Sequence, residues 1–170
     1  CFWRMAVWAN CCGSIRSYMM YTTLNEVSTY FVDILNVRKS NYGLRNVFYG
    51  DQDRIPNTPS VCVEPGTKER QVQRIPKGTD ITITIYLIVY HYQIATTEQI
   101  RSNVDVIAEM IESDIHTDPY LRGFGSTDMC ISSLVTRIES GYRRKNNSLF
   151  RSSILTIEVQ TREQLPTEYM

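Results

Sequence analysis

Three features of the chain predict an α+β fold, with a mainly antiparallel β-sheet, two packed α-helices and a long C-terminal β-hairpin. Residues 81–90 alternate between one apolar face and a second face of threonine, tyrosine and isoleucine. Two stretches, 24–35 and 100–115, repeat apolar residues at the 3.6-residue period of a helix lying on a core. Near the C-terminus, two long strand-like runs are separated by a short polar connector rich in turn formers.

In chain order, Leu24, Val27, Phe31, Ile34 and Leu35 form one face of an amphipathic helix. Thr22 or Thr23 can cap it, with Glu26 placed as in a capping box, and Arg38 and Lys39 suit the negative end of its dipole. Residues 40–60 read as a loop with one short apolar run, Val47 to Tyr49. A short strand, Val61 to Glu64, follows and is expected to stop at the turn pair Pro65-Gly66. Residues 68–75 fit a separate exposed strand, closed by a second turn at 76–78.

The next strand is the clearest element. Ile81, Ile83, Ile85, Leu87 and Val89 make a continuous core face, and Thr82, Thr84, Tyr86, Ile88, Tyr90 and Tyr92 make the other. The second face turns aromatic towards its end, so that half is expected to be covered on both sides. Thr96 or Thr97 then caps a long helix with Ile100, Val104, Ile107, Ala108, Ile111 and Ile115 inward and Arg101, Asp105, Glu109, Glu112 and Asp114 outward. Asp118-Pro119 ends it. Strands over 129–142 and 149–160 follow, joined by Arg143 to Asn147 as a hairpin connector. At a strand's rise of about 3.3 Å per residue the hairpin spans roughly 40–46 Å, against a radius of gyration near 15 Å, so part of it is expected to project from the domain. Residues 1–20 read as an N-terminal extension, 21–161 as a single domain and 162–170 as a C-terminal arm.

The chain has 170 residues, enough to bury roughly 68–70% of its unfolded surface without a disulfide or metal staple. Eighteen basic and 18 acidic side chains balance, which argues against a dedicated nucleic-acid or membrane-surface binder. The five cysteines, Cys1, Cys11, Cys12, Cys62 and Cys130, include no CxxC pair and no metal spacing, so they read as buried thiols of a protein made in a cytoplasm. The apolar run Cys1 to Cys12 is short and lacks the basic start and small-residue cleavage site of a secretory signal, and no segment reaches membrane-spanning length.

Catalytic chemistry finds little support. His91 sits between Tyr90 and Tyr92, where a hydrogen-bonded sheet histidine is the ordinary reading. His116 lies close to Asp114 and Asp118, but spacings of two do not share a helix face. Gly123-Phe-Gly125 precedes a strand and lacks the lysine and helix start of a phosphate loop, and no serine occupies a G-x-S-x-G elbow. Asp105, Glu109 and Glu112 read as a solvated helix face. Arg143-Arg144-Lys145 is the strongest local concentration of charge, suited to an acidic neighbour or a DNA phosphate. Eleven tyrosines favour surfaces that are half apolar and half wet, as in assemblies.

The order of these elements, with the strand Pro59-Ser-Val-Cys-Val-Glu-Pro65-Gly66, the Gly78-preceded strand Ile81 to Tyr90, the amphipathic helix, the Leu121-Arg122-Gly123 loop and the terminal hairpin, resembles the tail-terminator and tail-completion proteins of tailed bacteriophages over about residues 22–161. The resemblance implies a non-enzymatic structural protein of the virion, at the head-tail junction. It would form a ring, six subunits in that family, that ends the tail tube, meets the head connector and leaves a channel through which DNA passes. No catalytic residue, metal, cofactor or membrane partner is implied. By the same analogy, Arg143, Arg144, Lys145, Asn146 and Asn147 at the hairpin connector are candidate contacts between subunits or with the channel. A head-completion or head-to-tail adaptor of the neck, with twelvefold symmetry, is the second reading. A small hydrolase or a nucleic-acid-binding module is the remote one.

Overall fold

The computed structural model describes residues 24–71, 79–92, 97–119 and 132–163. They form the expected α+β architecture, two helices on one face of a five-stranded, mostly antiparallel sheet. The elements are α1 (Leu24–Val37), β1 (Asn46–Tyr49), β2 (Ser60–Gln71), β3 (Thr79–Tyr92), α2 (Thr97–Thr117), β4 (Ser132–Lys145) and β5 (Ser148–Glu163). The strand order is β1-β2-β3-β5-β4, which puts the alternating strand β3 in the middle and β4 at one edge.

The helix-covered core follows from two periodicities meeting. The five inward residues of β3 are fully buried against Val27, Phe31 and Leu35 of α1, and against Val104, Ala108 and Ile111 of α2. Leu155, Ile157 and Val159 of β5 extend the same face. A β-bulge between Val135 and Arg137 turns Val135 and Ile138, three residues apart, to one side of β4, so both reach this core.

Several sequence expectations are corrected. The apolar run in the 40–60 loop is a strand, β1, which pairs in parallel with the start of β2. Four residues, the last three apolar in succession, carry too little alternation to signal a strand, and the pairing is supplied by β2. Pro65-Gly66 does not end its strand: β2 runs on to Gln71 through a register shift between Pro65 and Lys68. A bulge is a place where proline's missing N–H breaks no ladder bond, and glycine serves there for a close approach. A side chain at Gly66 would put its Cβ 2.6 Å from the Thr84 carbonyl oxygen and 2.8 Å from the Tyr86 ring.

The hairpin is also placed differently. β5 pairs with β3 along the whole of β3, from Glu163 opposite Thr79 to Phe150 opposite Tyr92. The turn therefore lies only about 7 Å beyond the end of β3, and the hairpin completes the sheet instead of projecting from it. Its connector is shorter than expected, because Arg143, Arg144 and Lys145 belong to β4 and only Asn146 and Asn147 make the turn. Asn146 has φ 49°, a left-handed conformation that asparagine tolerates. β5 also continues to Glu163, two residues past the expected domain end at 161.

The second face of the sheet is partly covered, as the aromatic half of β3 foretold. Cys62, Ile88, Tyr90 and Phe150 form a small cluster closed by Ile55 from the loop 50–59. Phe150 stands edge-on to Tyr90 and Tyr92, at ring separations of 6.0 and 5.4 Å. Among the described residues, no helix is long and apolar enough to cross a membrane.

Candidate functional site

The polar groups of the described residues gather at three places, and only one involves the sequence candidates. The first is a clasp between the helices. Asp114 of α2 accepts from the Tyr42 hydroxyl and pairs with Arg38 just past α1, with Nη1 and Oδ2 2.7 Å apart. Burial pushes the Asp114 carboxyl up, but the Tyr42 and Arg38 hydrogen bonds outweigh this and hold it below the ordinary aspartate range. Burial and the Asp114 carboxylate raise Tyr42. The charge at Arg38 that suited a helix dipole thus mainly serves a tertiary pair.

A pH effect follows with a definite sign. A carboxyl depressed on folding contributes stability above its unfolded pKa and loses it as pH falls through the folded value. The wild-type chain should lose about 1 kcal/mol or less from this group on acidification below the usual value of 3.8, since both partners are about a third exposed. Asp114→Asn should flatten that limb of a stability-against-pH curve from urea titrations; an unchanged limb would remove Asp114 from the acid response.

At the second place Asp105 of α2 is held on the sheet. Its Oδ1 accepts from Ser140 at 2.7 Å and from Ser153 at 3.0 Å, and the two hydroxyls lie 2.8 Å apart. The carboxylate read as part of a solvated face is therefore a helix-to-sheet tether. Glu109 is exposed, as the sequence suggested, and Glu112 is half-buried. His91 bonds through Nδ1 to the Tyr92 carbonyl at 3.0 Å, as a sheet histidine would. His116 is exposed in the last turn of α2, while the neighbouring Asp114 is committed to the clasp. Among the described residues no group of three His, Cys, Asp or Glu side chains could hold a metal ion. Cys62 has a buried free thiol, pushed up to about 11 by burial; Cys1, Cys11, Cys12, Cys130 and the Gly123–Gly125 segment lie outside the described residues.

The third place is the end of the hairpin. Strand alternation divides Arg143, Arg144 and Lys145 between the two faces. Lys145 folds back onto its own chain: its ammonium pairs with Asp51, in the loop after β1, and sits 5.9 Å from the centre of the Tyr90 ring. Arg143 shares that face, and both cations act on Glu64 of β2. Burial and the neighbouring Asp51 nevertheless raise the Glu64 carboxyl. Asn146 and Asn147, with Lys145, Ser148 and Phe150, form one wall of an open groove whose other wall is Arg54, Ile55 and Pro56.

Arg144 points to the helix-bearing face and is exposed. On that face it neighbours Tyr142, itself opposite Arg151 on β5, and Leu149. Of the five connector residues, Lys145 is therefore occupied within the chain, Asn146 and Asn147 are at the tip, and Arg144 is the cation left facing outward on the helix side. The residue that sequence reasoning missed is Arg151. It is only 8% exposed, and its Nε is buried without a hydrogen-bond partner. Its position in the strand Leu149 to Gln160, on the inward-facing register, was the available signal. No protein-family model matches this chain, and no curated protein matches it either.

Proposed function

We propose that this chain is a structural virion protein that forms a ring ending the tail tube and joining it to the head connector of a tailed bacteriophage, with a central channel for the genome. The observation that carries the reading is the edge strand β4. It has 14 residues and is paired on one side only among the described strands, and it exposes Leu134 and Tyr142. A long edge of this kind invites pairing with another chain, and closure into a ring removes the exposed edge. The order of elements that resembles tail terminators supports the same reading. A chain without net charge suits a conduit, because a strongly basic lumen would grip DNA through many phosphate contacts.

The partners on this reading are further copies of the chain, a tail tube protein and a head connector protein, with DNA in transit and no cofactor. The test is an electron-microscopy reconstruction of the particle that carries the chain. Six copies between tail tube and connector are expected. Twelve copies on the head side would move the protein to the connector side of the neck, and its absence from any virion would overturn the proposal.

A further inference from the structure

The end of the hairpin on the helix-bearing face combines an energetic anomaly with exposed apolar surface. Arg151 is more than nine-tenths buried and its Nε has no hydrogen-bond partner; its guanidinium lies beside the Tyr142 ring, with Cζ 5.1 Å from the ring centre, and pairs with no carboxylate among the described residues. Across β3 its register partner is His91, whose Nδ1 is engaged by the Tyr92 carbonyl. One row along the same face, the Asp105 carboxylate is taken up by Ser140 and Ser153. A largely buried arginine whose Nε is unpaired and which has no carboxylate beside it is costly, and an incoming carboxylate with the planar fit of a bidentate pair relieves that cost. Around it, Tyr142 and Leu149 are 49% and 45% exposed and Arg144 is exposed.

A surface of opposite charge and matching apolar content exists on the same chain. The outer side of α2 exposes Val106 and Met110, one turn apart, with Glu109 between them. Glu109 enters no ion pair among the described residues, and in a chain with zero net charge the cations of one end require acids elsewhere. These two surfaces cannot meet within one subunit. Asp105 lies beside Ser140, while the Ser133 N–H is bonded to the Pro119 carbonyl just after α2, so α2 runs away from the hairpin tip. Arg144 lies four residues from Ser140 towards the tip and Glu109 one turn from Asp105 in the opposite direction, a separation of about 19 Å.

We propose that the Tyr142, Arg144, Leu149 and Arg151 surface docks on the α2 outer face of a second copy of this chain, with a carboxylate of that face, Glu109 foremost, meeting Arg144 and Arg151. The contact joins different patches of the two copies, so it is head-to-tail and propagates into a closed ring or an open filament. It rests on the ring reading for its biological setting, but it is tested in solution without the virion.

The experiment is sedimentation equilibrium of the full chain over a concentration series, at low and high salt. Wild type is expected to self-associate more weakly at high salt. Arg144→Glu and Glu109→Lys should each weaken association about fivefold or more, with unchanged thermal unfolding because both positions are exposed. The double variant, with the two charges exchanged, should return to within about threefold of wild type. Arg151→Met should weaken association while leaving the monomer folded. A chain that stays monomeric throughout, single variants that associate like wild type, or a double variant that does not recover would each overturn the proposal. A ring seen in the particle alongside charge-insensitive association would overturn this surface pair and leave the ring reading standing. Charge-swap rescue in a chain absent from every virion would do the reverse.

Discussion

Ile85→Asp is expected to leave no folded domain at 25 °C. Ile85 is fully buried in the central strand, opposite Pro65 on β2 and Ile157 on β5, and belongs to the core under both helices. The substitution removes an isoleucine's transfer free energy, about 1.5–3 kcal/mol, and replaces it with a carboxylate that has no partner there. Even if the carboxyl neutralises by taking a proton, the two terms together reach about 5 kcal/mol or more, comparable with the whole stability of an ordinary domain. Far-ultraviolet circular dichroism should show loss of the native spectrum, and urea titration should show no cooperative transition. A soluble variant with a native spectrum would mean that this face of β3 is not the core face.

Gly66→Val is also expected to destabilise the domain, although the site looks permissive in sequence. Gly66 is only half-buried and lies where a turn would be expected, and turns accept many residues. The bulge instead brings its α-carbon so close to β3 that a Cβ would stand 2.6 Å from a backbone oxygen, and a backbone atom cannot swing aside as a side-chain tip can. Relief requires β2 and β3 to separate locally, breaking pairing near Thr84. Overpacking of this kind costs about 1–3 kcal/mol, with valine's branches pushing towards the upper figure. The check is the urea midpoint of Gly66→Val against that of Gly66→Ala. Both should fall below wild type, valine further. Equal midpoints for all three proteins would show that the strands do not approach as closely as 2.6 Å implies.

These two sites differ in how legible they were. Ile85 belongs to a run of five alternating apolar residues, and period-two alternation reports a strand face directly. The same local logic revealed both helices, because the inward residues of α1 and α2 repeat at helical spacing whatever they pack against. Gly66 was misread because Pro-Gly signals a turn when judged from its neighbours alone. Only the register with β3, set by residues about twenty positions away, makes it a bulge. β1 escaped notice for a related reason: a four-residue strand is held by the partner that it pairs with and not by its own pattern.

The candidate site divides along the same line. The cationic run Arg143-Arg144-Lys145 was visible in the sequence, but its members have different fates. Lys145 turns in to Asp51, 94 residues earlier in the chain, while Arg144 faces outward. Arg151 sat unremarked among strand residues, and its lack of a counter-charge becomes visible only when Tyr142 and His91 are brought to either side of it.

The sequence by itself determined the α+β class, the inward faces of β3, α1 and α2, and the terminal hairpin, because each is written in a repeat spanning neighbouring residues. The tertiary structure alone decided the strand order, the two bulges, the docking of the hairpin along β3, and which charges are paired within the chain. Those depend on contacts between residues far apart in the chain, and such contacts leave no local period to read.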